Sequence, residues 1–119
     1  MPGSESIILA ADEILFLAEE YNVDLYLIKK GKVMVFVQKG SQITPIAYLG
    51  KGEYIGELSF FDDEPRSASI ICVEETEFVK IGSAIIQENF PSWLKNIGLQ
   101  LSRKIRAGDE LIRSKGIRK

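Results

Sequence analysis

Apolar and polar positions follow two different periods along this chain, and the change comes near Ser83. Before it, short runs rich in β-branched and aromatic residues are separated by turn signals, the pattern of antiparallel strands. Residues 7–10 and 13–17 read as strands divided by Asp12, and the polar stretch 19–22 as a loop. Residues 24–29 set Leu25 and Leu27 on one face and Tyr26 and Ile28 on the other. Lys30-Gly31 suits a hairpin turn, and residues 32–37 make the next strand. Lys39-Gly40-Ser41 turns the chain again. Residues 43–49 return as a strand that contains Pro45, which predicts an edge position or a bulge. Residues 67–73 and 76–81 are further strands on either side of Glu74-Glu75, the first with Ala68, Ile70 and Cys72 on one face.

From Ser83 the apolar spacing lengthens. Residues 83–89 predict a short helix, interrupted by Pro91, and residues 92–114 a longer one. In the long helix Leu94, Ile97, Leu101, Ile105, Gly108 and Ile112 recur at steps of three and four, giving one apolar stripe, with Leu99 and Leu111 off it. A helix apolar on more than one side can pack on its own barrel and on a partner, so ordinary core packing and a homodimer through this helix both stay open. The whole pattern predicts a mainly β domain, a sandwich or jelly roll, with helices at its C-terminal end.

Composition narrows this picture. The 119 residues suffice for one domain with a real core and are too few for two ordinary ones. The formal net charge of −2 gives no overall basic character that would point to nucleic acid. The single cysteine, Cys72, rules out an internal disulfide and is expected to be a buried thiol, which fits a reducing, cytoplasmic compartment. No apolar run reaches the ~18 residues of a membrane span, and the first residues carry no basic region of a signal peptide. The chain has no histidine, which most mononuclear catalytic metal sites and most Ser or Cys nucleophile systems require. Neither a metal site nor an enzyme is therefore expected. Asp62-Asp63-Glu64 lacks the spacing of a calcium loop and reads as a solvated turn. The basic residues from Arg103 onward suit the C-terminal end of a helix dipole, a nucleic-acid or lipid contact being the alternative. Nothing after Gly116 can form a helix-turn-helix, so no DNA-binding domain is expected in this chain.

The chemistry concentrates between Gly52 and Ser69. Gly56 lets the backbone take φ > 0 or approach a ligand closely. Residues 57–61 contain no helix breaker and predict about one helical turn, whose first amides are unpaired and form an anion site. Pro65 ends that turn and biases Glu64 toward an extended backbone. Arg66 follows nine residues after Glu57. One carboxylate, one guanidinium and several free amides suit a small ligand with a phosphate monoanion and a nearby hydroxyl. A plain Glu57–Arg66 surface ion pair is the simpler alternative.

Gly56-Glu57-Leu58-Ser59-Phe60, four residues, then Pro65-Arg66-Ser67-Ala68-Ser69 closely resembles the phosphate-binding cassette of cyclic nucleotide-binding domains, usually G-E-L-A-L, four residues, P-R-A-A-T. Asp24-Leu25-Tyr26-Leu27-Ile28 with Gly31-Lys32-Val33 resembles that family's early hairpin, and Ala11-Asp12-Glu13-Ile14-Leu15-Phe16 its opening strand. The likeness covers about residues 7 to 113. It implies one domain over residues 1–119: an eight-stranded β-roll, about 7–82, followed by a short helix and a long C-terminal helix, about 83–114. It also implies that Glu57 binds the ribose 2′-hydroxyl and that Arg66 binds the cyclic phosphate, with the backbone of Gly56, Leu58, Ser59 and Ala68 around it. Ser59, Phe60, Ser67 and Ser69 depart conservatively from the family pattern. Phe60 and Phe61 are expected to fill the core rather than touch a ligand.

The implied function is a cyclic nucleotide sensor whose ligand is cyclic AMP or cyclic GMP. The competing reading is a roll that dimerises a larger signalling protein with no bound nucleotide. Base choice should depend on Ser67, whose hydroxyl could accept from the guanine 2-amino group, and on a residue of the long helix near Gly108 and Asp109. An ionised Asp109 could accept from two guanine donors or from the single adenine amine. Alternatively it is solvated or pairs with Arg106 or Arg113 one turn away. Bacterial relatives with Ser at the position of Ser67 respond to cyclic AMP, and that ligand is narrowly favoured.

Overall fold

The structure is a computed structural model that describes residues 4–84 and 89–115, with side chains as far as residue 108. Eight strands among the described residues form two four-stranded antiparallel sheets. They are β1 (Ser4–Leu9), β2 (Ile14–Phe16), β3 (Leu25–Lys30), β4 (Lys32–Lys39), β5 (Gln42–Gly50), β6 (Tyr54–Ile55), β7 (Ser69–Cys72) and β8 (Thr76–Ile81). One sheet runs β1-β8-β3-β6 and the other β2-β7-β4-β5. Helix α1 (Glu57–Asp62) sits between β6 and β7, and helix α2 (Ser92–Lys115) follows the roll. The short helix expected over 83–89 lies largely outside the described residues.

The core between the sheets is built from alternate strand positions, as the period-two pattern requires. Tyr26 and Ile28 of β3 are buried, while Leu25 and Leu27 are only partly so. They meet Phe16, Val33, Ile55, Ile70, Cys72 and Phe78. Burial pushes the Cys72 thiol pKa up, so the group is the expected inert core thiol. The turns fall at the residues that tolerate them: Asp12 (φ 72), Gly31 (φ 110) and Gly40 (φ 61) are left-handed. Pro45 satisfies both alternatives. β5 is an edge strand, and its register shifts opposite Val35 and Phe36.

Two expectations need correction. The two-residue strand β6 was not legible in the run from Gly50 into the cassette; it exists because Tyr54 and Ile55 pair with Leu27 and Tyr26. The strand expected from Ser67 begins only at Ser69. Its entry is diverted because the Arg66 N–H donates to Glu20 O and the Glu19 N–H donates to Arg66 O, at 3.0 and 2.8 Å, pairing Arg66 with the loop instead of the sheet. For α2 the sequence left core packing and pairing with a partner both open. Along the described part of its apolar stripe Leu94 is half-buried, while Ile97, Leu101 and Ile105 are 47%, 53% and 50% exposed. The inward side carries Gly98 and Ser102, both buried, with Leu99 and Arg106 half-buried beside them. This side packs on α1, and at Gly98 the Phe61 ring lies so close that even a Cβ would clash.

Candidate functional site

The left-handed Gly56 (φ 88) starts α1 and provides no side-chain cap. Phe60 N–H to Gly56 O opens the helix and Asp63 N–H to Ser59 O closes it, so the first-turn amides ahead of Phe60 have no helical partner. At its far end Asp63 (φ 60) is again left-handed. Two left-handed residues therefore bracket a six-residue helix, as the flanking sequence predicts for its start and not for its end.

Arg66 is the unusual group. It is 2% exposed although charged. Its Nη1 donates to the Gly56 carbonyl at 3.0 Å. Its Nη2 donates to Asn22 Oδ1 at 2.9 Å and to the Asp24 carbonyl at 2.6 Å. The guanidinium stacks 4.1 Å from the Phe16 ring centroid, a cation–π contact strengthened by desolvation. Nε is buried with no hydrogen-bond partner in the protein. Burial lowers the pKa to about 10, opposed by Tyr26 and Asp24, so the group stays protonated at neutral pH. Asn22 is itself fixed, its Nδ2 donating to the Tyr26 hydroxyl and its Oδ1 accepting from Asp24 N–H.

A cavity of about 810 Å³ opens beside these groups. Gly56, Glu57, Leu58, Ser59, Arg66, Ser67 and Ala68 all border it, so the fold brings together every candidate but one. The exception is Asp109: its backbone lies in α2, and its side chain is outside the described residues. Glu57 and Ser67 are exposed. The simple Glu57–Arg66 ion pair does not form; the ion pairs among the described residues join Lys80 to Glu5 and Asp24, and Arg106 to Asp62. The rest of the wall is mostly apolar, including Phe16, Val35, Leu49, Ile70 and Phe90. An apolar hollow with a buried cation and free amides at one end fits a planar or ring-bearing anion. Phe60 is buried, as expected of a core filler, and with Phe61 it also borders the cavity.

Several partners of the site escaped the sequence. Nothing links Phe16, Asn22 or Asp24 to Arg66 along the chain, although Asn22 as a turn-former before a strand is a signal of local side-chain bonding. The acidic turn is not simply solvated either: the Asp62 side chain is 2% exposed, and Arg106 grips it. Arg106 is therefore engaged with α1. Tyr21 also reaches this turn, its hydroxyl donating to Asp63.

Comparison with known proteins agrees with this geometry. The family model described as cyclic nucleotide-binding domain matches residues 7–90. The chain is 33% identical over 103 residues to the cyclic AMP receptor protein of Thermus thermophilus, covering 80% of this chain and 46% of that one. It is 39% identical over 62 residues to the cGMP-dependent protein kinase of Eimeria tenella, covering 52% of this chain and 6% of that one. Its structure is similar to that of the Thermus thermophilus catabolite activator protein, with a TM-score of 0.71 and 30% identity over 95% of this chain and 55% of that one. The chain spans less than half the length of these two curated relatives.

Proposed function

The chain belongs to the cyclic nucleotide-binding domain family, and we propose that it is a regulatory sensor that binds a cyclic nucleoside monophosphate and passes the event to α2. The observation that carries this reading is Arg66: a buried guanidinium with an unsatisfied Nε on the wall of an 810 Å³ cavity. Its Nη atoms are paired, but a buried Nε without an acceptor and a desolvated charge without a counter-ion are unfavourable unless an anion completes the site. The cyclic phosphate is that anion, held by Arg66 and by backbone amides of the cassette residues Leu58, Ser59 and Ala68. Glu57 accepts from the ribose 2′-hydroxyl, since an ionised carboxylate accepts and cannot donate. The base lies over the apolar wall. The role is binding rather than catalysis.

Cyclic AMP is the favoured ligand and cyclic GMP the competitor. The cyclic AMP receptor of Thermus aligns over 80% of this chain, the Eimeria cGMP-dependent kinase over only 52%. Ser67 at the cavity edge does not separate the two bases, and Asp109 is the proposed selector. Titration calorimetry with both ligands on the wild type and on Asp109→Ala tests this. Saturable binding of cyclic AMP ahead of cyclic GMP supports the reading; a cyclic GMP preference that disappears in the variant reverses the order. Binding of neither ligand leaves the dimerisation module as the better account.

The exposed stripe of α2 favours a homodimer through that helix. Ile97, Leu101 and Ile105 are each about half exposed and lie on one side. Sedimentation of the wild type and of Leu101→Glu should show a dimer that the variant dissociates; two monomers would refute the pairing.

A further inference from the structure

Helix α1 is held to α2 at two separate points. At the first, Asp62 at the end of α1 accepts from Arg106 of α2: Nε lies 2.5 Å from Oδ2 and Nη2 lies 3.2 Å from Oδ1. The same Nη2 lies 3.2 Å from the Ser59 Oγ. Both acceptor side chains are nearly inaccessible, so this is a desolvated fork-to-carboxylate pair rather than a surface salt bridge. At the second point, Gly98 admits the Phe61 ring; a Cβ there would come within 2.7 Å of Phe61 Cγ. Gly98 and Arg106 stand eight residues apart, roughly 12 Å along the helix axis. Two attachments at that separation prevent α1 from pivoting on α2.

The other end of the site is anchored to the roll. Arg66 is fixed by Gly56, Asn22, Asp24 and the backbone of Glu19 and Glu20. Between roll and α1 the chain passes through left-handed Gly56 and Asp63, the natural pivots. Drawing an anion between Arg66 and the first-turn amides would therefore move α1 toward the roll, and α1 cannot move without α2.

We propose that Arg106 is the positioning residue that couples the ligand-binding turn to α2, acting through Asp62 and Ser59. The inference rests on the nucleotide-binding reading above and adds the residues that carry the signal. Arg106 does not border the cavity, so its loss should affect transmission more than binding.

The test measures cyclic AMP affinity by calorimetry and amide hydrogen exchange over residues 92–108, with and without cyclic AMP. The proteins are the wild type, Arg106→Gln, the near-isosteric Asp62→Asn and the double variant. In the wild type the ligand should change exchange in that segment about fivefold or more, the lower end of ordinary coupling. In each single variant affinity should stay within about tenfold while the change in α2 falls below about twofold, and the double variant should lose no more than either single one, because both remove the same contact. A purely structural role would instead lower unfolding temperature and leave the ligand-induced change intact. Variants that bind and respond like the wild type overturn the coupling role alone, as does a wild type that binds with no response in α2. A wild type that binds no nucleotide overturns the functional reading and this inference together.

Discussion

The Arg66 guanidinium occupies the space that a side chain at position 56 would need. Its Nη1 bonds the Gly56 carbonyl at 3.0 Å, and a Cβ built on Gly56 would fall within 2.9 Å of Cζ. The glycine therefore serves two demands, a left-handed backbone at φ 88 and the seat of a buried cation. Gly56→Ala should destabilise the fold by about 1–3 kcal/mol, combining left-handed strain with overpacking. It should also weaken nucleotide binding by displacing the guanidinium. Thermal unfolding and titration of the one variant check both; wild-type values for either would contradict the shared seat.

Arg66→Ala should weaken cyclic nucleotide binding by roughly 2–5 kcal/mol, the loss typical when one partner of a desolvated charge pair is truncated. The same change removes three hydrogen bonds, one each to Asn22 Oδ1 and to the carbonyls of Gly56 and Asp24, so unfolding temperature should fall as well. Arg66→Lys should rescue little, because an ammonium lacks the planar fork that reaches three acceptors at once. Circular dichroism at the titration temperature confirms which variants are folded. An alanine variant that is folded and binds with wild-type affinity would remove Arg66 from the phosphate site.

Glu57 is tested by a cycle rather than a single variant. Glu57→Ala and a 2′-deoxy ligand should each reduce affinity, and the deoxy ligand should lose little more against the variant. Losses that simply add would assign the ribose contact to another residue.

Binding should be independent of pH between about 6 and 9. The chain has no histidine, and Arg66 keeps its proton until pH nears 10. Above that point the phosphate loses its cation and affinity should fall. Stability responds in the opposite sense. Burial holds the folded-state pKa of Arg66 below its unfolded value, so the charged form opposes folding, and that opposition is relieved as pH rises past 10. Titrations buffered across this range check the first statement, and denaturant unfolding above pH 9 checks the second.

By itself the sequence determined the features that depend on local order. Alternation placed Tyr26 and Ile28 on one face and Leu25 and Leu27 on the other, glycine and aspartate marked the turns, and Pro45 announced an edge strand or a bulge. The residues from Gly56 through Glu57 to Arg66 marked an anion-binding turn, because a tight start, one helical turn and a proline stop are consequences of neighbouring residues, and the resemblance to a known family's motif gave that turn its ligand. Long-range contacts set the rest. Asn22, Asp24 and Phe16 meet Arg66 only when β2, β3 and the cassette are brought together, and no period or spacing encodes that meeting. Burial of the Asp62 carboxylate by Arg106 is likewise decided across 44 positions of chain; an acidic turn looks solvated until a helix packs over it. The face of α2 was open for the same reason. Its apolar stripe promises burial somewhere, but the side that meets α1 carries Gly98, where Phe61 leaves no room for a Cβ, and Arg106, which reaches Asp62. Hydrophobic pattern reports which positions avoid water, and tertiary packing alone selects which of them fit.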